Sequence, residues 1–165
     1  MTVTRVEKDF DTLTLTLVAD FDAPIERVWQ LWADPRQLER WWGPPTHPAT
    51  VEKHDLAVGG EVAYFMTGPD GDRSRGWWRV TSVDPPRSLE FTDGWADRGG
   101  TPKAGSPTTA VQVRLSEQDG RTRMELRFVF QSAEHWEQLE RGGAFDVFPQ
   151  SVGQMDAVLE DQEAR

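Results

Sequence analysis

The sequence predicts a single α+β domain in which a curved antiparallel sheet packs against a C-terminal helix. Three observations lead to this class. Several short segments alternate apolar and polar residues between turn signals, two short segments near the start show helical spacing, and the C-terminal region carries one narrow apolar stripe. A length of 165 residues suits one domain over residues 1–165 that buries a sizeable core.

The first elements are a strand and two short helices. Residues 12–21 read TLTLTLVADF, and this alternation predicts a strand with one buried face. Pro24 suits the first turn of a helix over residues 24–33. Asp34-Pro35 ends that helix and begins a second short one, which Gly43-Pro44-Pro45 ends.

The middle of the chain predicts an antiparallel meander, because short turns with hairpin chemistry separate its strands. The longer segment 93–107 is rich in Gly, Pro and Asp, and we interpret it as one long loop. The predicted strands cover residues 46–54, 61–67, 76–83, 88–92, 110–115 and 122–130.

The C-terminal region predicts a short polar helix over residues 133–140 and then a closing helix. Apolar side chains recur in the closing helix at steps of three and four, which places them on one face that can cover the sheet. Pro149 must lie in the first turns of this helix or kink it. A strongly bent sheet over one helix leaves space at its open end, where we expect a cavity. The stripe consists of Phe145, Phe148, Val152, Met155 and Leu159.

Charge and composition exclude several classes of partner. The net charge of −10 repels a phosphate backbone or an anionic membrane surface, so we predict no nucleic-acid partner. No apolar run is long enough to span a membrane, and the first ten residues do not resemble a signal peptide. The chain contains no cysteine. Together these features predict a cytoplasmic protein without membrane insertion.

The sequence offers no metal, nucleophile or cofactor motif. His47 and His54 lie seven residues apart in an extended segment, so they should point to opposite faces. His135 stands among acidic residues on the polar helix and is predicted to face solvent. We therefore expect no metal and no cofactor.

Acid–base chemistry remains open. Glu90 and Glu125 alternate with apolar residues and should face outward. Tyr64, the single tyrosine, lies on the apolar face of its strand, so its hydroxyl group could reach the cavity. Tyr64 and His54 are the best candidates if the domain is an enzyme, although a buried tyrosine with an ordinary hydrogen bond is more common than a catalytic one.

Eight tryptophans exceed what a small core needs, which favours an aromatic cavity for a small apolar molecule. In the adjacent pair Trp77 and Trp78, one side chain should point inward and the other outward, and alternation does not decide between them. The candidate ligand-binding residues are Trp42, Tyr64, Trp78, Phe91, Met124, Phe128, Phe148, Val152 and Met155.

Several stretches also carry a family resemblance through their order and spacing. They are residues 21–29 (FDAPIERVW), 34–44 (DPRQLERWWGP), 55–60 (DLAVGG), 69–71 (PDG), 76–77 (GW) and 83–89 (VDPPRSL). Together they resemble the SRPBCC superfamily (START-like, Bet v 1-like), and within it the single-domain bacterial form of the family of homologues of the activator of the heat-shock-protein-90 ATPase.

The resemblance implies a helix-grip fold, in which about six to seven strands wrap around a long C-terminal helix and enclose a deep cavity. It also implies three functions, which the sequence leaves open. The leading hypothesis is binding of a lipid-like, polyketide-like or other aromatic small molecule. The others are a cyclase or dehydratase acting on such a molecule and a module that interacts with a chaperone. Exposed tryptophans leave open a homodimer.

Overall fold

A computed structural model describes residues 3–163, which form one antiparallel sheet of eight strands with five helices. The strand order across the sheet is β1-β2-β8-β7-β6-β5-β4-β3. The last strand, β8, thus pairs with β2 from the start of the chain. The elements are β1 (Val3–Asp9), β2 (Thr14–Phe21), α1 (Ile25–Ala33), α2 (Pro35–Trp41), β3 (Ala49–His54), β4 (Glu61–Thr67), β5 (Arg73–Asp84), β6 (Ser88–Ala96), β7 (Thr109–Gln118), β8 (Arg121–Phe130), α3 (Ala133–Arg141), α4 (Ala144–Gly153) and α5 (Met155–Glu163).

This architecture confirms the predicted helix-grip class, but the sheet has eight strands rather than six to seven. The additional strand is β1, which pairs antiparallel with β2 at the sheet edge. All residues of β1 after Val3 are exposed, so the strand has no buried face. Its sequence therefore lacks the apolar alternation from which a strand is predicted.

The segment 93–107 is not one long loop, and this corrects the sequence interpretation. Strand β6 continues to Ala96, and Asp93 pairs with Thr109 of β7. Because side chains of a strand alternate between its two faces, Asp93 lies on the inward face of β6, two residues after Phe91.

The closing helix is almost continuous, with α4 and α5 separated by Gln154 alone. Pro149 lies in the interior of α4, where it has no N–H group to donate to the helix ladder. The side-chain amide of Gln154 donates to the carbonyl oxygen of Gly43 at 2.7 Å and, at longer distances, to those of Trp41 and Ser151. The bonds to Trp41 and Gly43 attach the junction of α4 and α5 to the end of α2 and to the residues that follow it.

A cluster of aromatic rings fills the core beside β4, β5 and β6. Trp78 is fully buried and stacks on Phe91, with ring centroids 3.8 Å apart. Trp77 points to the opposite face, where its Nε1 donates to the carbonyl oxygen of Trp95 at 3.0 Å. The structure thus decides which tryptophan of the pair is inward. None of the helices in residues 3–163 is long and apolar enough to cross a membrane.

Candidate functional site

A cavity of about 250 Å³ lies between the concave face of the sheet and the segment formed by α3 and α4. The segment after α2 completes its wall with Trp42, Pro44 and His47. Most of the lining side chains are apolar, as ligand pockets usually are. The sheet and helices contribute, among others, Tyr64, Met66, Asp93, Trp95, Leu126, Phe128, Phe130, His135, Leu139, Val147, Phe148 and Val152.

The candidate ligand-binding residues divide into two groups. Five line the cavity: Trp42, Tyr64, Phe128, Phe148 and Val152. Four are almost completely buried away from its wall: Trp78, Phe91, Met124 and Met155. Trp78 and Phe91 lie away from the wall because the rings of Trp32 and Trp42 pack against both of them. Trp41 packs in turn on Trp32 and Trp42, so this part of the concave face is filled.

The polar centre of the cavity is a hydrogen bond between two inward side chains. The hydroxyl group of Tyr64 donates to Oδ1 of Asp93 at 2.9 Å. Tyr64 pairs with Gly76 across β4 and β5, and a Cβ atom on Gly76 would overlap the tyrosine ring. A glycine at this position therefore lets the ring pass over β5 and reach β6.

Among residues 3–163, Asp93 supplies the only carboxyl group in the cavity wall. Removal from water raises the pKa of Asp93 to about 7, although the hydrogen bond from Tyr64 opposes this rise. Burial also raises the pKa of Tyr64 well above its ordinary value, and the charge of Asp93 adds to the effect. Within residues 3–163, Oδ2 of Asp93 has no hydrogen-bond partner.

Sequence reasoning missed Asp93 because it assigned the residue to a loop. The available signal was the continued alternation of Leu89, Phe91, Asp93 and Trp95, in which the carboxyl group takes an inward position between two aromatic residues. The glycine at position 94 and the following Asp and Gly residues hid this period.

His135 also faces the cavity, which corrects the prediction that it is solvated. It lies in the first turn of α3, where its backbone N–H group donates to the hydroxyl oxygen of the N-cap residue Ser132 at 3.1 Å. The ring stands edge-on to Phe130 at 5.5 Å, and burial lowers the pKa of His135, which favours the neutral imidazole. Contact of α3 with β8 turns this position inward although the neighbouring residues are acidic.

The other polar candidates are placed differently. His54 lies outside the cavity, and its Nε2 is 3.0 Å from the carbonyl oxygen of Trp32. Glu125 pairs with Arg127 on the outer face at 3.1 Å, as its alternation predicts. In the part of the chain that the structure describes, no three His, Cys, Asp or Glu side chains form a group that could hold a metal ion.

The comparisons with known proteins agree with this architecture. A sequence model described as "Activator of Hsp90 ATPase homolog 1-like protein" matches residues 22–160. The chain belongs to this family. The match confirms the resemblance inferred from the motifs and covers every element from α1 to α5 except the last three residues of α5. A search of curated proteins found none that matches.

Solved structures of members and relatives have the same fold. A crystal structure from Mycobacterium smegmatis is 48% identical over 95% of this chain and 96% of its own, with a TM-score of 0.86. A solution structure from Arthrobacter aurescens is 47% identical over 97% and 93%, with a TM-score of 0.92. The AHSA1 protein of Silicibacter pomeroyi is 26% identical over 90% and 99%, with a TM-score of 0.70.

Proposed function

We propose that this member of the Activator of Hsp90 ATPase homolog 1-like family binds a small hydrophobic or aromatic molecule in its internal cavity. The observation that carries the proposal is the cavity itself, whose wall is mostly aromatic and aliphatic. Such concave apolar sites with a few convergent polar groups are the usual form of small-molecule sites.

The cavity volume limits the size of the ligand. A dry apolar cavity of ~150 Å³ holds benzene, and sites for drug-sized molecules begin at roughly 300 Å³. The volume of about 250 Å³ found here lies between them. An aromatic molecule of one or two rings therefore fits, whereas a sterol or long-chain lipid exceeds this volume.

Native mass spectrometry of the purified protein tests the proposal first, because it detects a co-purifying molecule and reports whether the chain is a monomer or the homodimer left open by the sequence. A second test measures binding of the two-ring hydrocarbon indane through quenching of tryptophan fluorescence. Trp41, Trp42 and Trp95 all line the cavity and can report its occupation.

A matched pair of variants on α4 makes the binding test specific. Val147→Trp places a large ring inside the cavity, whereas Gln150→Trp places the same ring on an exposed position of the same helix. We expect at least a tenfold loss of indane affinity in V147W and little change in Q150W. Equal affinity in all three proteins, or no binding to the wild type, would count against the proposal.

An enzyme of the cyclase or dehydratase kind is a second candidate, and the pair of Asp93 and Tyr64 favours it. A general base works best when its pKa lies near the working pH, and that of Asp93 is about 7. The test follows exchange of the α-protons of 1-indanone with D₂O by NMR. Faster exchange with wild type than with Asp93→Asn supports this candidate, and identical rates remove it.

A chaperone-associated role is a third candidate, favoured by the description of the matching family. It predicts that the protein raises the rate of ATP hydrolysis by an Hsp90 chaperone. Cavity-filled V147W should keep this effect, because the cavity is not required for contact with a partner surface. A rate that does not change on addition of the protein argues against this role.

A further inference from the structure

Within residues 3–163, no cationic side chain shares the cavity wall with the Asp93 carboxyl group. Neither lysine nor arginine lines the cavity, and no ion pair involves Asp93 in residues 3–163. The other titratable groups in the wall are Tyr64, His47 and His135. Of these, Tyr64 donates to Asp93, and burial favours the neutral form of His135.

The pair is held in a defined geometry. The hydroxyl group of Tyr64 donates a hydrogen bond to Oδ1 of Asp93, and Gly76 leaves room for the tyrosine ring. One carboxyl oxygen is therefore fixed by the protein, while Oδ2 has no partner among the described residues. Asp93 is half-buried, and Oδ2 is not one of the fully buried, unpartnered polar atoms of residues 3–163. This oxygen therefore keeps contact with solvent and can accept a hydrogen bond from a ligand.

From this geometry we infer that the cavity takes an aromatic molecule of one or two rings that carries a protonated amino group, and that Oδ2 of Asp93 accepts a hydrogen bond from this group. The inference rests on the proposed binding function and names its ligand class. Aromatic rings of Trp42, Tyr64 and Trp95 in the wall add cation–π attraction. The net charge of −10 attracts a cationic ligand from solution.

Three probes with the same ring system separate the contributions. Indane is a hydrocarbon, 2-indanol adds a neutral donor, and 2-aminoindane adds a protonated amine. Their dissociation constants are measured by isothermal titration calorimetry at about pH 8 and about pH 5.5 with wild type and Asp93→Asn. Indane serves as an internal control, because its binding shows that the cavity of the variant is intact.

At about pH 8 we expect 2-aminoindane to bind the wild type at least tenfold more tightly than indane, with 2-indanol in between. The advantage of the amine should disappear in D93N, while indane binds D93N at least as tightly as wild type. Lowering the pH to about 5.5 should remove the advantage in wild type, since the Asp93 carboxyl group is then protonated, and should leave D93N unchanged.

The outcomes distinguish this inference from the proposal on which it rests. If indane binds and the amine binds no more tightly, the amine class is wrong and the binding function stands. If D93N keeps the full preference for the amine, the anchor is not Asp93. If none of the probes binds, the binding function fails as well. Should D93N not fold, Asp93→Ala takes its place with indane again as the control for an intact cavity, and a full preference for the amine in that variant overturns the inference.

Discussion

The stability of the Asp93→Asn variant relative to wild type should increase as the pH rises. Asn keeps the shape of the side chain and an acceptor for Tyr64, but it cannot ionise. In the folded wild type the pKa of Asp93 is raised from 3.8 to about 7, mainly because burial disfavours the charged form. Between pH 3.8 and about 7, the Asp93 carboxyl group therefore holds a proton in the folded state that it has released in the unfolded state.

The sign and size follow from proton linkage. Between the unfolded and folded pKa values, wild-type stability falls as the pH rises, by about 1.36 kcal/mol per pH unit for one group. Over the window from 3.8 to about 7 this amounts to roughly 4 kcal/mol, and above it the loss is complete. Between pH 5 and pH 8, D93N should gain about 3 kcal/mol relative to wild type.

Urea unfolding followed by tryptophan fluorescence, at half-unit pH steps from about 5 to 8, measures this difference. Asp20→Asn is the matched control, because its partner Arg123 lowers the pKa of Asp20. That carboxyl group stays ionised over the whole range, so D20N should run parallel to wild type. Parallel curves for D93N and wild type would refute the reasoning, since they would mean that Asp93 does not hold a proton in the folded state.

Two further predictions concern the residues that position the site. Gly76→Ala should destabilise the protein by about 2–4 kcal/mol in urea unfolding, because the new Cβ overlaps the Tyr64 ring and separates its hydroxyl group from the carboxyl group. Gly153→Ala is its control, since open space surrounds Gly153 within a helix, and it should be neutral or stabilising by up to about 1 kcal/mol; equal losses in both would refute the steric argument. Gln154→Ala should cost about 1–2 kcal/mol in thermal or urea unfolding, because the carbonyl oxygens of Gly43 and Trp41 lose the side-chain donor, whereas that of Ser151 keeps the backbone N–H of residue 154. An unchanged midpoint would show that water replaces those bonds.

Much of the fold could be predicted because its signals are local. Alternation marks β2, β4, β7 and β8, and helix start and stop residues mark α1 and α2 within a residue or two. The order of motifs added the family and the helix-grip arrangement. The edge strand β1 had no such signal, because a strand that buries neither face needs no apolar period.

The site was less accessible to sequence reasoning. Inward positions could be chosen by alternation, but the pattern does not say whether an inward side chain meets another side chain or empty space. Trp78 and Phe91 are inward and stack on each other, whereas Phe128 is inward and lines the cavity. That difference depends on the rings that α1 and α2 place over one end of the sheet.

The sequence by itself thus determined the fold class, the order of its elements and the apolar face of the closing helix, because each depends on residue spacing along the chain. Only the tertiary structure decided that Asp93 and His135 face the cavity and that Tyr64 reaches across Gly76 to the carboxyl group. The physical reason is that these contacts join side chains from different strands and helices. Their environment is set by packing between those elements and not by neighbours in the sequence.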